Sequence, residues 1–120
     1  MKRDMELIRT ILLEVEAVDS YAPHPSEGCS PQHYLYNCYL IHNAGLAAGV
    51  TFHEDPPDVR LSHLTWRGHE FLDAIRQDTV WEKTKSSLGT QITSVGFEIV
   101  KGVANSFVTQ KLKEMGVPIG

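Results

Sequence analysis

Cys29, His33, Cys38 and His42 follow a C-x3-H-x4-C-x3-H spacing, and thiolate and imidazole are the side chains that hold zinc. Helical geometry works against a four-ligand site. At about 100° per residue, the step from His33 to His42 puts the two rings on opposite faces of one helix. Cys38 and His42 share a face at i and i+4, so Cys29 would have to complete a site. The commoner fate of such a cysteine is that of a small buried hydrophobe. The same Cys38–His42 pair has the residue types of a thiol nucleophile and its base, but nothing in the sequence supplies an oxyanion hole or a third, orienting group. There is no phosphate-cradling glycine loop and no G-x-S-x-G elbow. Asp73 and Asp78 stand too far apart on a helix surface for an acid/base couple. His69 and Glu70 are adjacent helical residues that do not face each other, and His63 has the setting of a half-exposed strand residue. The sequence therefore predicts no catalytic residue, no metal and no cofactor.

The elements that position these residues are marked by periodicity and punctuation. Met5, Ile8, Ile11, Leu12 and Val15 recur at three- and four-residue steps, predicting a helix over 4–18 capped by Asp4. Pro23, Pro25 and Gly28 make 19–30 a loop. Ser30-Pro31 starts a second helix running to Asn43, with Tyr34, Leu35, Cys38, Leu40 and Ile41 on a broad apolar face. Gly45 and Leu46 close it. Residues 47–53 and 59–65 are expected to form a hairpin whose turn is Glu54-Asp55-Pro56-Pro57-Asp58. Thr65 caps a third helix over 66–77, with Phe71, Leu72 and Ile75 inside and Gly68 allowing close approach to the hairpin. Thr79-Val80-Trp81-Glu82 has the pattern of a capping box for a short helix ending near Gly89. Trp66 and Trp81 are expected in the core.

From Thr90 to Met115 the apolar residues keep helical spacing. A straight helix of that length spans roughly 38 Å, whereas a compact domain of the remaining residues is about 30 Å across. Gly96 and Gly102 each cost about 1 kcal/mol relative to alanine. The segment is thus expected either to fold back as shorter helices or, preferably, to form a homodimer through residues 90–115.

Composition bounds the class. The 120 residues are 42% hydrophobic and 22% charged, as in one ordinary globular domain. Two cysteines do not make a disulfide scaffold, and no apolar run reaches the ~18 residues of a membrane span. With no basic-then-apolar leader, the expected location is cytoplasmic. Eleven Lys and Arg face fifteen Asp and Glu. Between Thr10 and Val59 there is no Lys or Arg at all, while Glu14, Glu16, Asp19, Glu27, Glu54, Asp55 and Asp58 lie there. Phosphate neutralisation needs clustered cations, so this distribution disfavours DNA; it fits a merely solvated acidic surface or, as the functional reading, a surface for a basic or neutral protein partner.

The order helix, loop, helix, hairpin, helix resembles a winged-helix domain. Asn43-Ala44-Gly45-Leu46 resembles the end of a recognition helix before a wing, and Leu64-Thr65-Trp66-Arg67-Gly68 resembles the step from the second wing strand into the next helix. More closely, residues 1–9 and the run 64–76 continuing through Asp78-Thr79-Val80-Trp81 resemble an uncharacterised bacterial, phage and prophage family of the DUF2513 type. The resemblance covers nearly the whole chain and implies a winged-helix-like fold. It brings no catalytic residue to carry over.

The expected fold is thus α+β, mainly α: a winged-helix-like core over 1–78 and a C-terminal helical extension over 79–120. The expected function is non-enzymatic protein binding through His33, Tyr34, Tyr36, Asn37, Glu54 and Asp55, since exposed tyrosines without lysines suit a protein interface. The alternative is a dimeric DNA-binding regulator using Lys2, Arg3, Asn37, Arg60 and Arg67.

Overall fold

Asp4 begins the first helix, α1 (Met5–Ala17), by accepting the Leu7 amide at 3.1 Å. In the computed structural model, which describes residues 2–18, 21, 29–52 and 58–116, α1 is followed by α2 (Pro31–Asn43), β1 (Ala47–Phe52), β2 (Asp58–Leu64), α3 (Trp66–Ile75), α4 (Asp78–Leu88) and α5 (Phe97–Glu114). The fold is α+β and mainly helical, with one two-stranded antiparallel sheet. The chain forms two compact units, Met1–Glu70 and Phe71–Gly120, and α3 crosses the division. Among the described residues no helix is long and apolar enough to cross a membrane.

In the first unit, α1 buries Met5, Ile8, Ile11, Leu12 and Val15, the five residues its periodicity marks. It packs on α2 and β2, and α2 also packs on β1. The Ser30 hydroxyl accepts the His33 amide at 3.1 Å, and Pro31 opens α2. The helix ends in a Schellman turn: Leu46 N donates to Ile41 O and Gly45 N to His42 O, each at 3.0 Å, with Gly45 at φ +75°. Leu46 then leads directly into β1, which pairs with β2 from Ala47 opposite Leu64 to Phe52 opposite Asp58, with a bulge between Ala48 and Gly49.

Thr65 fastens this corner. Its amide donates to Leu46 O at 3.1 Å, its hydroxyl donates to Gly45 O, and the same hydroxyl accepts the Gly68 amide at 3.1 Å. Gly68 is required there because a Cβ would lie 1.8 Å from Leu46 O.

In the second unit, α4 packs on α5 and on the 3₁₀ turn Gly89–Thr93. Phe71 and Phe97 meet edge to face at 5.3 Å between ring centroids. Trp81 is buried as expected. The Thr79–Glu82 capping box does not form, because α4 starts at Asp78 after an N-cap at Gln77 whose side chain accepts no amide of the first turn. Thr79 is thereby placed inside the first turn, and Glu82 pairs instead with Lys85 at 2.9 Å. The C-terminal segment is not one long helix. It breaks at Gly96, whose extended backbone (φ −66°, ψ 158°) starts α5, and α5 then runs unbroken through Gly102. Eighteen residues span only about 27 Å.

Trp66 overturns its expected place in the core: it is 80% exposed. It lies nine residues before Ile75, half a helical turn out of phase with the buried stripe at Gly68, Phe71, Leu72 and Ile75.

Two alanine substitutions should therefore differ in sign. Gly68→Ala forces backbone against backbone and is expected to destabilise the chain by about 3 kcal/mol or more. Gly102→Ala enters open space within a helix and should stabilise by about 0.5–1 kcal/mol. Urea denaturation midpoints check both.

Candidate functional site

The amino-terminal halves of α1 and α2 are joined by a polar clasp. The Asp4 amide donates to Asn37 Oδ1 at 2.8 Å, and Asn37 Nδ2 donates to His33 O at 2.9 Å. His33 Nε2 lies 3.0 Å from Asp4 Oδ2. Asn37 is wholly buried, and removing it would strand the partners that it satisfies, a loss of roughly 1–3 kcal/mol. Burial acts to raise the Asp4 pKa and is the largest single influence. The bond from His33, the amides of Leu7 and Glu6 and the charge of His33 together outweigh it, so the carboxyl sits below its ordinary value.

A second cluster lies deeper. The Tyr21 hydroxyl donates to Glu14 Oε2 at 3.0 Å and is hydrogen-bonded to the Tyr34 hydroxyl. Burial, then the bonds and charges of Tyr34 and Glu14, hold the Tyr21 hydroxyl far above the ordinary tyrosine range. Burial likewise pushes the Cys38 thiol up to about 12. A hydrogen bond with Tyr34 opposes the rise, and the charges of Glu14 and Asp58 add to it.

The four residues of the C-x3-H-x4-C-x3-H run are thus each committed to a different structural contact. Cys29 Sγ faces Ser30 O at 3.7 Å, His33 holds Asp4, Cys38 is buried beside Tyr34, and His42 Nδ1 donates to Ala47 O at 3.3 Å. Among the described residues no three His, Cys, Asp or Glu side chains gather as metal ligands would.

Two of the expected contact residues are therefore removed from any surface. Tyr34 and Asn37 are buried, because both lie on the core side of α2 with Cys38 and Ile41. His33 is half-buried in the clasp and Tyr36 is half-buried. Glu54 and Asp55 lie outside the described residues. Tyr39, left out of the expected contact set although it stands at i+3 from Tyr36, is exposed. Gln32, Tyr36, Tyr39 and Asn43 recur at i, i+4, i+7 and i+11 and form the outer stripe of α2, with no Lys or Arg in it. The signal for Tyr39 was that spacing.

Of the cations proposed for DNA, Arg60 is exposed and makes its contacts within the hairpin. Its Nε lies 3.5 Å from Asp58 Oδ2, and its guanidinium stands 5.9 Å from the Phe52 ring centroid. Burial lowers the pKa of the half-buried Arg3, against the opposing influence of Tyr36. Lys2 and Arg67 are exposed.

The charge divides between the two units. Residues 1–70 carry five Lys and Arg against ten Asp and Glu, a net charge of −5, and residues 71–120 carry six against five, a net +1.

Residues 2–95 match the family described as "Hypothetical protein (DUF2513)". The chain belongs to that family. The match ends one residue before Gly96, so the DUF2513 region comprises α1 to the 3₁₀ turn and stops short of α5. An uncharacterized protein of Haemophilus influenzae is 35% identical over 119 residues, covering 93% of this chain and 99% of its own length. No solved structure matches.

Two measurements test this chemistry. Because Asp4 is held low, its stabilising effect is complete above an ordinary aspartate's pKa and is lost as pH falls through the lower folded value. The difference in urea midpoint between wild type and Asp4→Asn should narrow as pH drops from about 5 to about 2.5. Cys29 is half-exposed and Cys38 is sealed, so Ellman's reagent should titrate one thiol in the native chain and two in urea.

Proposed function

We propose that this chain is a non-enzymatic, winged-helix-like module that works by binding a protein. The order α1, α2, hairpin, α3, with α2 turning through Gly45 and Leu46 into β1, supports the winged-helix reading. The observation that carries the binding mode is the outer stripe of α2. In a DNA reader this face would present cations to phosphate and base edges. Here it presents Gln32, Tyr36, Tyr39 and Asn43 on a unit of net charge −5. Tyrosine gives large contact area at low conformational cost, which suits a protein interface. The acidic hairpin tip with Glu54 and Asp55 extends the proposed surface on the strength of the sequence.

The DNA-binding alternative has weaker support. Asn37 is buried in the clasp, and Arg60, although exposed like Lys2 and Arg67, is paired with Asp58 and stands by the Phe52 ring. Self-association through residues 90–115 is part of the proposal. In α5 only Val100 and Ala104 are fully buried, while Ile99 and Met115 are largely exposed.

A mobility-shift assay with random duplex at ~50 mM salt should show no complex at micromolar protein. A salt-sensitive micromolar complex would reject protein binding in favour of gene regulation. Light scattering at ~100 µM should report a dimer mass, and a monomer there removes pairing through residues 90–115.

A further inference from the structure

Among the described residues Trp66 is the most exposed of the large apolar side chains, at 80%. Leaving an indole in water forfeits its burial energy, and tryptophan is the residue type most enriched at the centres of protein interfaces. The backbone beneath it is fixed. Thr65, the preceding residue, is tied to Leu46 O, Gly45 O and the Gly68 amide. The ring is thus presented from a rigid point, and docking would order little beyond the side chain itself.

Its surroundings are acidic from two elements. His69 and Glu70 lie at i+3 and i+4, on the stripe of α3 that neighbours Trp66. Glu16, in the last turn of α1, reaches His69 with Oε2 at 3.9 Å from Nδ1. Arg67 is adjacent in sequence and so projects about 100° away from Trp66 around the helix. The whole unit carries a net −5.

An exposed π face in a negatively charged setting is complementary to a guanidinium or ammonium group, which stacks on the ring. A second copy brings a chain that is itself net negative, at −4, and a nucleic acid brings phosphates. Like charges disfavour both. We infer that Trp66 anchors a docking surface for a basic segment of a partner protein, with Arg or Lys seated on the indole and Glu16 and Glu70 at its rim. This inference rests on the protein-binding reading above and assigns that partner its charge and its anchor point.

The test uses the full chain and a fluorescein-labelled nona-arginine peptide, followed by anisotropy at ~50 mM salt, with an equally long glutamate-rich peptide as control. Micromolar binding of the arginine peptide is expected, weakened about tenfold by Trp66→Ala and largely restored in Trp66→Tyr. Far-UV circular dichroism and thermal melting should be unchanged in both variants, since the ring is exposed.

Equal binding by wild type and Trp66→Ala would reduce the attraction to diffuse charge and overturn the assignment. So would absence of arginine-peptide binding, or equal binding of the acidic peptide. A dimer by sedimentation that Trp66→Ala dissolves would give the ring to a second copy instead, and overturn it too. These outcomes leave the duplex assay untouched. Duplex binding would remove the protein-binding reading whatever the peptides do.

Discussion

The corner where α2, the hairpin and α3 meet governs the first unit. Three short-range features converge there: a left-handed Gly45 that ends α2, a Thr65 that binds Gly45 and Leu46, and a Gly68 with no side chain to hold Leu46 away. Each hydrogen bond is individually worth about 1 kcal/mol. Their combined effect is geometric. They set the direction in which the chain leaves α2 and the point at which β2 gives way to α3. Just beyond that point Trp66 is exposed.

The residues with the most evident chemical potential are consumed in holding the helices together. Asn37, Asp4 and His33 join α1 to α2 at one end. Glu14, Tyr21, Tyr34 and Cys38 share a buried polar cluster further in. A thiol with its pKa pushed up to about 12 is a poor nucleophile near neutral pH. The polar groups in these two places bond one another, which is what burial demands of them.

What faces water is different in kind. The outer stripe of α2 is polar, aromatic and uncharged, and the first turn of α3 carries a bare indole beside carboxylates. Residues 1–70 are strongly acidic, while residues 71–120 are nearly neutral. The outer stripe of α2 thus offers tyrosine and amide side chains to solvent, on a unit of net charge −5. The family model matches up to Val95, before the start of α5.

Local signals were legible wherever one residue type had a single use. Asp4 and Ser30-Pro31 as helix starts, Gly45-Leu46 as a stop and Gly68 as a point of contact each follow from backbone chemistry alone, and periodicity alone marked the five buried residues of α1. Where several uses competed, tertiary structure decided. Tyr34 and Tyr39 are the same residue type on one helix, yet one is sealed against Tyr21 and the other is exposed, because rotation of the helix relative to its neighbours is set by packing. Asn37, polar by type, is buried because Asp4 and Lys2, more than thirty positions away, supply its partners. Thr79 and Glu82 carried a capping pattern that lost to a start one residue earlier, and Trp66, apolar by type, was turned out to solvent by the phase of α3. Sequence determined which segments become helix or strand, since those choices are local. Which side of each helix is hidden depends on contacts between residues distant in the chain, and only the folded molecule supplies them.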